Sequence, residues 1–302
     1  MLRMLVLTAM SLGVLGFTPL SIRASEWSFQ GYWGGAGEGP GEFHDPRNLA
    51  VGPNDNVYVA DTGHGRIQQF DAEGHFIRSW GASGEDAAFG YLKSVEIGLF
   101  GDVYALDGAS LQKFTAEGVY IGRTQPGETP SGYDVAIDAN GNLYSAGSRR
   151  LYVYDAQLAR VARIDGVNGC VDNSYGGVAI VGQRVHLLDS YCQTIDVYTP
   201  SGGLLESWSL SNLPSSFSLA TSGDRFFLTS PTQRAIRILN SGGIDSGESI
   251  TMPEIEGTVP IPMAVTVHNG VEYVLADHYV LMFAGTTAVE KESWGDVKSH
   301  YR

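Results

Sequence analysis

Short apolar runs recur along the chain at a near-constant interval, and none sustains the 3.6-residue period of a long amphipathic helix. One recurring signature is an apolar strand end followed by a turn: Phe70-Asp71-Ala72-Glu73-Gly74, Phe114-Thr115-Ala116-Glu117-Gly118, Tyr154-Asp155-Ala156-Gln157, Tyr198-Thr199-Pro200-Ser201-Gly202, Leu239-Asn240-Ser241-Gly242-Gly243 and Phe283-Ala284-Gly285-Thr286. The spacings are 44, 40, 44, 41 and 44 residues. About a dozen residues before each turn lies a second apolar run, as in Val57-Tyr58-Val59 and Tyr273-Val274-Leu275. Before that lies a third, as in Leu49-Ala50-Val51, Val95-Glu96-Ile97 and Val135-Ala136-Ile137. A fourth follows the turn, as in Phe76-Ile77-Arg78-Ser79-Trp80.

Four short strands in each repeat of 40-odd residues are one blade of a β-propeller. The expected fold is all-β: a six-bladed β-propeller of four-stranded antiparallel blades. The Asn, Asp and Gly of Gly52-Pro53-Asn54-Asp55-Asn56 and Asp138-Ala139-Asn140-Gly141-Asn142 suit hairpin turns that need positive φ. A lone blade cannot bury both its faces, whereas six in a ring can. The blades are placed at about 47–80, 93–124, 133–164, 176–209, 216–250 and 263–294, the last completed by 26–34. An N-terminal strand is expected to close the ring, because Trp27-Ser28-Phe29-Gln30-Gly31-Tyr32-Trp33-Gly34 resembles the fourth-strand segment ending at Trp80-Gly81. Val289 to Trp294 competes for the same place.

Gly41-Glu42-Phe43-His44-Asp45-Pro46-Arg47-Asn48-Leu49-Ala50-Val51, continuing to Val57-Tyr58-Val59-Ala60-Asp61-Thr62-Gly63-His64-Gly65-Arg66-Ile67-Gln68-Gln69-Phe70, resembles the NHL repeat. The resemblance implies a propeller over 26–294. For function it leaves binding scaffolds and enzymes both open, since one fold hosts many activities. It puts Asp61 and Arg66 in the loop between second and third strands, with Asp107, Asp189 and Asp277 at the Asp61 position. Each Asp is expected to cap backbone N–H groups rather than to hold a cation.

Composition changes the picture in three ways. The formal net charge is −14, from 33 acidic and 19 basic residues, which disfavours nucleic acid as a partner. Residues 1–24 read as a signal peptide: Arg3 is followed by the mostly apolar Met4 to Phe17, with Ser21-Ile22-Arg23-Ala24 as the cleavage region. The mature domain, residues 25–302, then carries −16, spans no membrane and lies in the periplasm or outside the cell. In such an oxidising compartment the two cysteines, Cys170 and Cys192, are expected to form a disulfide.

Ligands of a propeller favour the face that carries the second-to-third-strand loops and the loops between blades. The repeat alignment puts Asn48, Ser94, Asp134, Gly177, Ser216 and Met263 just before the innermost strands, and Arg47, Lys93, Tyr133, Gly176, Ser215 and Pro262 one residue earlier. Arg47, Lys93, Tyr133 and Asp134 are therefore the candidate ligand-binding residues, with two cations and a phenol suited to a carboxylate or phosphate. His44, His64 and His278, with Asp61 and Asp277, form a candidate metal set for Zn2+ or Ca2+. His186 reads as core, and His268 belongs to the opposite face.

Asp189-Ser190-Tyr191-Cys192, with Cys170 in the preceding inter-blade loop, resembles the peptidyl-hydroxyglycine amidating lyases, which are propellers of the same repeat type. That resemblance implies Tyr191 as the catalytic phenol and Arg66 as a substrate arginine. The chain departs from it where the zinc histidines belong, since none of Arg47, Lys93, Tyr133, Gly176, Ser215 and Pro262 is His. No Gly-x-Ser-x-Gly elbow, His-Glu-x-x-His or phosphate loop is present. The expected function is a non-catalytic binding or scaffold module for a protein, peptide or small anionic ligand. The alternative is a metal-dependent lyase or lactonase.

Overall fold

The computed structural model describes residues 27–81, 88–108, 110–124, 133–147, 150–165, 175–211, 213, 216 and 218–285. Six four-stranded antiparallel sheets make up the described chain, and the lone helical element is a 3-10 turn at Thr62–His64. Blade one is β2 (Pro46–Val51), β3 (Val57–Asp61), β4 (Arg66–Phe70) and β5 (Phe76–Trp80). Blade two is β6 (Leu92–Ile97), β7 (Val103–Asp107), β8 (Ser110–Phe114) and β9 (Tyr120–Arg123). Blade three is β10 (Val135–Ile137), β11 (Leu143–Gly147), β12 (Arg150–Tyr154) and β13 (Arg160–Asp165). Blade four is β14 (Tyr175–Val181), β15 (Arg184–Asp189), β16 (Thr194–Tyr198) and β17 (Leu204–Ser209). Blade five is β18 (Leu219–Ser222), β19 (Arg225–Ser230), β20 (Ala235–Leu239) and β21 (Asp245–Thr251). Blade six is β22 (Pro262–His268), β23 (Val271–Ala276), β24 (Tyr279–Gly285) and, as its outermost strand, β1 (Trp27–Gly34).

The first strand of every blade touches the first strand of the next, and β22 returns to β2, so the ring is closed. The N-terminal strand performs the closure: β1 pairs antiparallel with β24, Trp27 opposite Gly285 and Gly34 opposite Tyr279. The competing segment, Val289 to Trp294, lies outside the described residues, as do residues 1–26 with the proposed signal. Among the described residues no helix is long and apolar enough to cross a membrane.

The core sits in the seams rather than in the middle. Side chains alternate across a strand, so each sheet presents one apolar face to the blade before it and one to the blade after. Six clusters of buried residues result. Leu49, Val57 and Val59 meet Ala264 and Leu275 at the closing seam, and Ala50, Tyr58 and Ala60 meet Val95 and Val103 at the next. The seams repeat one device: a bulky side chain on the outer strand covers the turn glycine of the following blade. Trp33 covers Gly74, Trp80 covers Gly118, Ile164 covers Gly202 and Trp208 covers Gly243.

Candidate functional site

Strand register places the channel-lining positions. Asn48 stands opposite Ala60, Ser94 opposite Leu106 and Gly177 opposite Leu188. Asp134 directly precedes Val135, which pairs with Ser145 as Leu49 pairs with Val59. Two sequence assignments are corrected. In blade five Leu219 pairs with Leu228, and the Ser218 carbonyl accepts the Thr229 N–H, so Ser218 and not Ser216 shares the Asn48 position. In blade six Ala264 pairs with Leu275, so Ala264 takes that position and Met263 the preceding one. Blades five and six close the first hairpin with Ser222 opposite Arg225 and His268 opposite Val271, a shorter turn than the one from Val51 to Val57 in blade one, so the apolar runs alone do not fix the register.

The ladder skips Arg47, Lys93, Gly176 and Met263, each the extra member of a β-bulge. A bulge re-aims its side chain away from the sheet and recurs beside binding sites. The Arg47 guanidinium lies 5.5 Å from the ring centre of Tyr91, and Lys93 Nζ lies 4.5 Å from that of Tyr133. Arg47 also pairs with Asp45 at 2.9 Å, not with Asp134. Burial holds the Lys93 ammonium below the usual lysine range, against the opposing charge of Asp107. Tyr91 and Tyr133 remain 44% and 46% exposed, so the sequence-predicted Arg47, Lys93 and Tyr133 share an open aromatic and cationic rim.

Asp134 ties the rim together. Its Oδ1 accepts the Ser94 hydroxyl at 2.8 Å and the Asn48 amide at 3.5 Å, and its Oδ2 accepts the Val178 N–H at 3.1 Å. Asn48 Oδ1 in turn accepts the Val95 N–H at 3.1 Å, so hydrogen bonds join blades one to four in sequence. Burial raises the Asp134 carboxyl to about 6 despite these donors. Below it, Glu96 shares the lining of a cavity of about 170 Å³ and is raised further, to about 8, by burial and then by the Asp134 charge. Sequence reading passed over Glu96. The available signal was its break in a column that reads Ala50, Ala136, Ala179 and Ala220 in other blades.

The candidate metal set is spread apart. Asp61 is fully buried; its carboxylate accepts the His44 N–H at 2.8 Å, Arg66 Nε at 2.8 Å and Gln68 Nε2 at 3.0 Å, and His64 Nδ1 lies 2.8 Å away. The His44 and His64 rings stack edgewise at 5.4 Å, and His64 Nε2 faces Glu38 at 2.8 Å. Asp277 stands one position beyond Ala276, the true counterpart of Asp61, and accepts the Ile261 N–H at 3.0 Å. No three of His44, His64, His278, Asp61 and Asp277 bring ligand atoms within 4.8 Å of one another. Among the described residues the group that does is Asp71, Glu73 and His75, on a turn of the opposite face. Asp107 and Asp189 likewise accept backbone N–H groups, from Gly90 and Tyr91 and from Tyr191 and Cys192.

Tyr191 is 70% exposed in blade four. Arg66 belongs to blade one, on the far side of the ring, where its guanidinium is committed to Asp61 and to the carbonyls of Gly39 and Glu42. The structure does not bring the two together. Cys170 lies outside the described residues. His186 is core, packed on Phe226 and Trp208 and held to about 4 by burial. On the opposite face His268 meets Asp55 at 3.0 Å. A cleft of about 520 Å³ opens there between blades three and four, lined by Asp138, Asn140, Tyr144 and Gln183.

Residues 43–70 match the NHL repeat profile. No curated protein sequence matches the chain. Among solved structures it is similar to a streptogramin B lyase, at 11% identity over 85% of this chain and 96% of that one, with a TM-score of 0.61. It is also similar to a catalytically inactive histidine-to-alanine variant of virginiamycin B lyase from Staphylococcus aureus with quinupristin, at 12% identity over 79% and 94% of the two chains and a TM-score of 0.59. At these identities the likeness establishes the propeller fold.

Proposed function

We propose that the protein is an exported, non-catalytic binding propeller that takes a protein, peptide or small anionic ligand at the loop-face mouth of its channel. The observation that carries this reading is the rim itself: Arg47 over Tyr91 and Lys93 over Tyr133, gathered from blades one to three. Rings under both cations pre-order them, which lowers the entropic cost of meeting a carboxylate or phosphate. The Arg47–Asp45 pair is exposed and worth little, so an incoming anion competes with it easily. Export rests on the leader at residues 1–24, and a Cys170–Cys192 disulfide belongs to the same reading. Titration of triglycine and of inorganic phosphate into wild type and Arg47→Ala/Lys93→Ala tests it. Binding at least tenfold weaker in the double variant supports the rim, and equal binding removes it.

A second reading, a metal-dependent lyase or lactonase, is favoured by the lyases among the structural neighbours. Tyr191 would supply its phenol. The residues expected to hold Zn2+ or Ca2+ do not fit the metal, since their ligand atoms do not converge and the Asp61 carboxylate is already saturated. Incubation with quinupristin checks this reading: ring opening that is lost in Tyr191→Phe would replace the binding module with an enzyme.

A further inference from the structure

One tier below the rim, the first strands carry small side chains in four of the six blades: Ala50, Ala136, Ala179 and Ala220, opposite Tyr58, Tyr144, His186 and Phe227. Blade six has Thr266 there, and blade two has Glu96, opposite Tyr104. A carboxylate thus stands in a ring of methyl groups, facing the cavity of about 170 Å³ that it shares with Asp134 and Asn48. Among the described residues its carboxylate bonds the backbone of its own neighbour Ile97, and no cation there pairs with Glu96 or Asp134. Two half-buried carboxylates without a counter-ion among the described residues, beneath a cationic rim, form a dipolar site: negative within, positive at the lip.

We propose that the channel seats a primary ammonium group between Glu96 and Asp134, so that the ligand is a zwitterion, a short peptide entering amino terminus first with its carboxylate left at Arg47 and Lys93. This rests on the reading of the rim as an anion seat. The dimensions agree: Lys93 and Glu96 are three residues apart on an extended strand, about 10 Å, and the ends of an extended tripeptide are about as far apart. The charges agree as well. Burial raises both carboxyls, so near neutral pH the pair shares a proton and carries less than its full negative charge. One ammonium offsets the remaining charge; as it settles, the pair releases its proton to solvent and both carboxylates accept from the ammonium.

The test is calorimetric titration at pH 7 with triglycine, N-acetyl-triglycine and triglycine amide, on wild type, Glu96→Ala and Arg47→Ala/Lys93→Ala. Alanine at 96 restores the residue that four other blades carry, so the fold tolerates it. Acetylation is expected to weaken triglycine binding at least tenfold, and Glu96→Ala to do the same while leaving N-acetyl-triglycine unaffected. Buffers of different ionisation enthalpy should reveal proton release that vanishes in Glu96→Ala. Equal affinity for the free and acetylated peptides, or full affinity in Glu96→Ala, overturns the ammonium seat and leaves the rim standing. Triglycine binding that depends on Glu96 but not on Arg47 and Lys93, with triglycine amide bound as tightly as the free peptide, keeps the seat and removes the rim. No binding of any of the three overturns both.

Discussion

The indole of Trp33 covers Gly74 so closely that a Cβ on that glycine would stand 2.5 Å from the ring. Trp33 belongs to the N-terminal strand that completes blade six, and Gly74 to the outer turn of blade one, at φ +86°. The contact is the outer clasp of the ring, and Trp33 packs there against the buried cluster around Phe70 and Tyr273.

Gly74→Ala should therefore destabilise twice over, through a left-handed backbone that costs an L-residue about 1–2 kcal/mol and through the blocked indole. Trp33→Ala should cost about 3 kcal/mol by opening the same seam. Urea unfolding of both variants, beside Gly122→Ala, where an added Cβ meets nothing within 4 Å, checks this.

Glu272 occupies the position that is Val57 in blade one, fully buried, with neither carboxylate oxygen hydrogen-bonded. Burial raises its carboxyl to about 9, against the attraction of Arg225. The folded protein thus keeps a proton that the unfolded chain releases near 4.5. Its contribution to stability is complete below that value and is lost as the pH climbs to about 9, with a slope of up to about 1.4 kcal/mol per pH unit. Glu272→Leu should be more stable than wild type at pH 8 and should remove this slope from melting curves taken between pH 5 and 9.

Asp134 joins its own blade to three others through its carboxylate. Asp134→Ala strands the Ser94 hydroxyl and the Val178 N–H, and should cost about 3 kcal/mol. Asp134→Asn keeps an acceptor and should lose less. Denaturant midpoints order the two.

Arg66 clamps Asp61 to the carbonyls of Gly39 and Glu42. Arg66→Ala leaves Asp61 buried short of a partner and should destabilise by about 3 kcal/mol. Arg66→Lys should not rescue it, because the fork that reaches Asp61, Gly39 and Glu42 together is lost. Unchanged stability in either variant, by thermal melting, would return Arg66 to the ligand.

Quinupristin turnover by wild type is expected to be absent, measured by chromatography of the intact ring after overnight incubation. Turnover that survives in Tyr191→Phe would place any chemistry away from blade four.

The chain announces its architecture because a propeller blade is a local object. Four strands and three turns follow one another, and each carries its own period-two apolar pattern and turn glycine. Asp61, Asp107 and Asp189 were legible as backbone caps for the same reason. The rim residues Arg47, Lys93 and Tyr133 were legible from repeat alignment while the copies stayed near the blade-one pattern.

Where the copies drift, alignment loses a residue. Ser218 and Ala264 were misplaced because the first hairpins of blades five and six are shorter than that of blade one, which moves the apolar run relative to the ladder. His186 as core and His268 on the opposite face were legible, but the loop-face histidines were not: His44, His64 and His278 share a face, which nitrogen meets which oxygen depends on loop paths between blades, and Asp61 had already taken His64 and Arg66. The sequence by itself determined six blades, their turns and the face that carries the loops between second and third strands. The tertiary structure alone decided that the N-terminal strand closes the ring and that Glu96 and Asp134 share one channel beneath the rim. Both are relations between segments far apart in the chain, made by ring closure, and no local pattern encodes the distance between them.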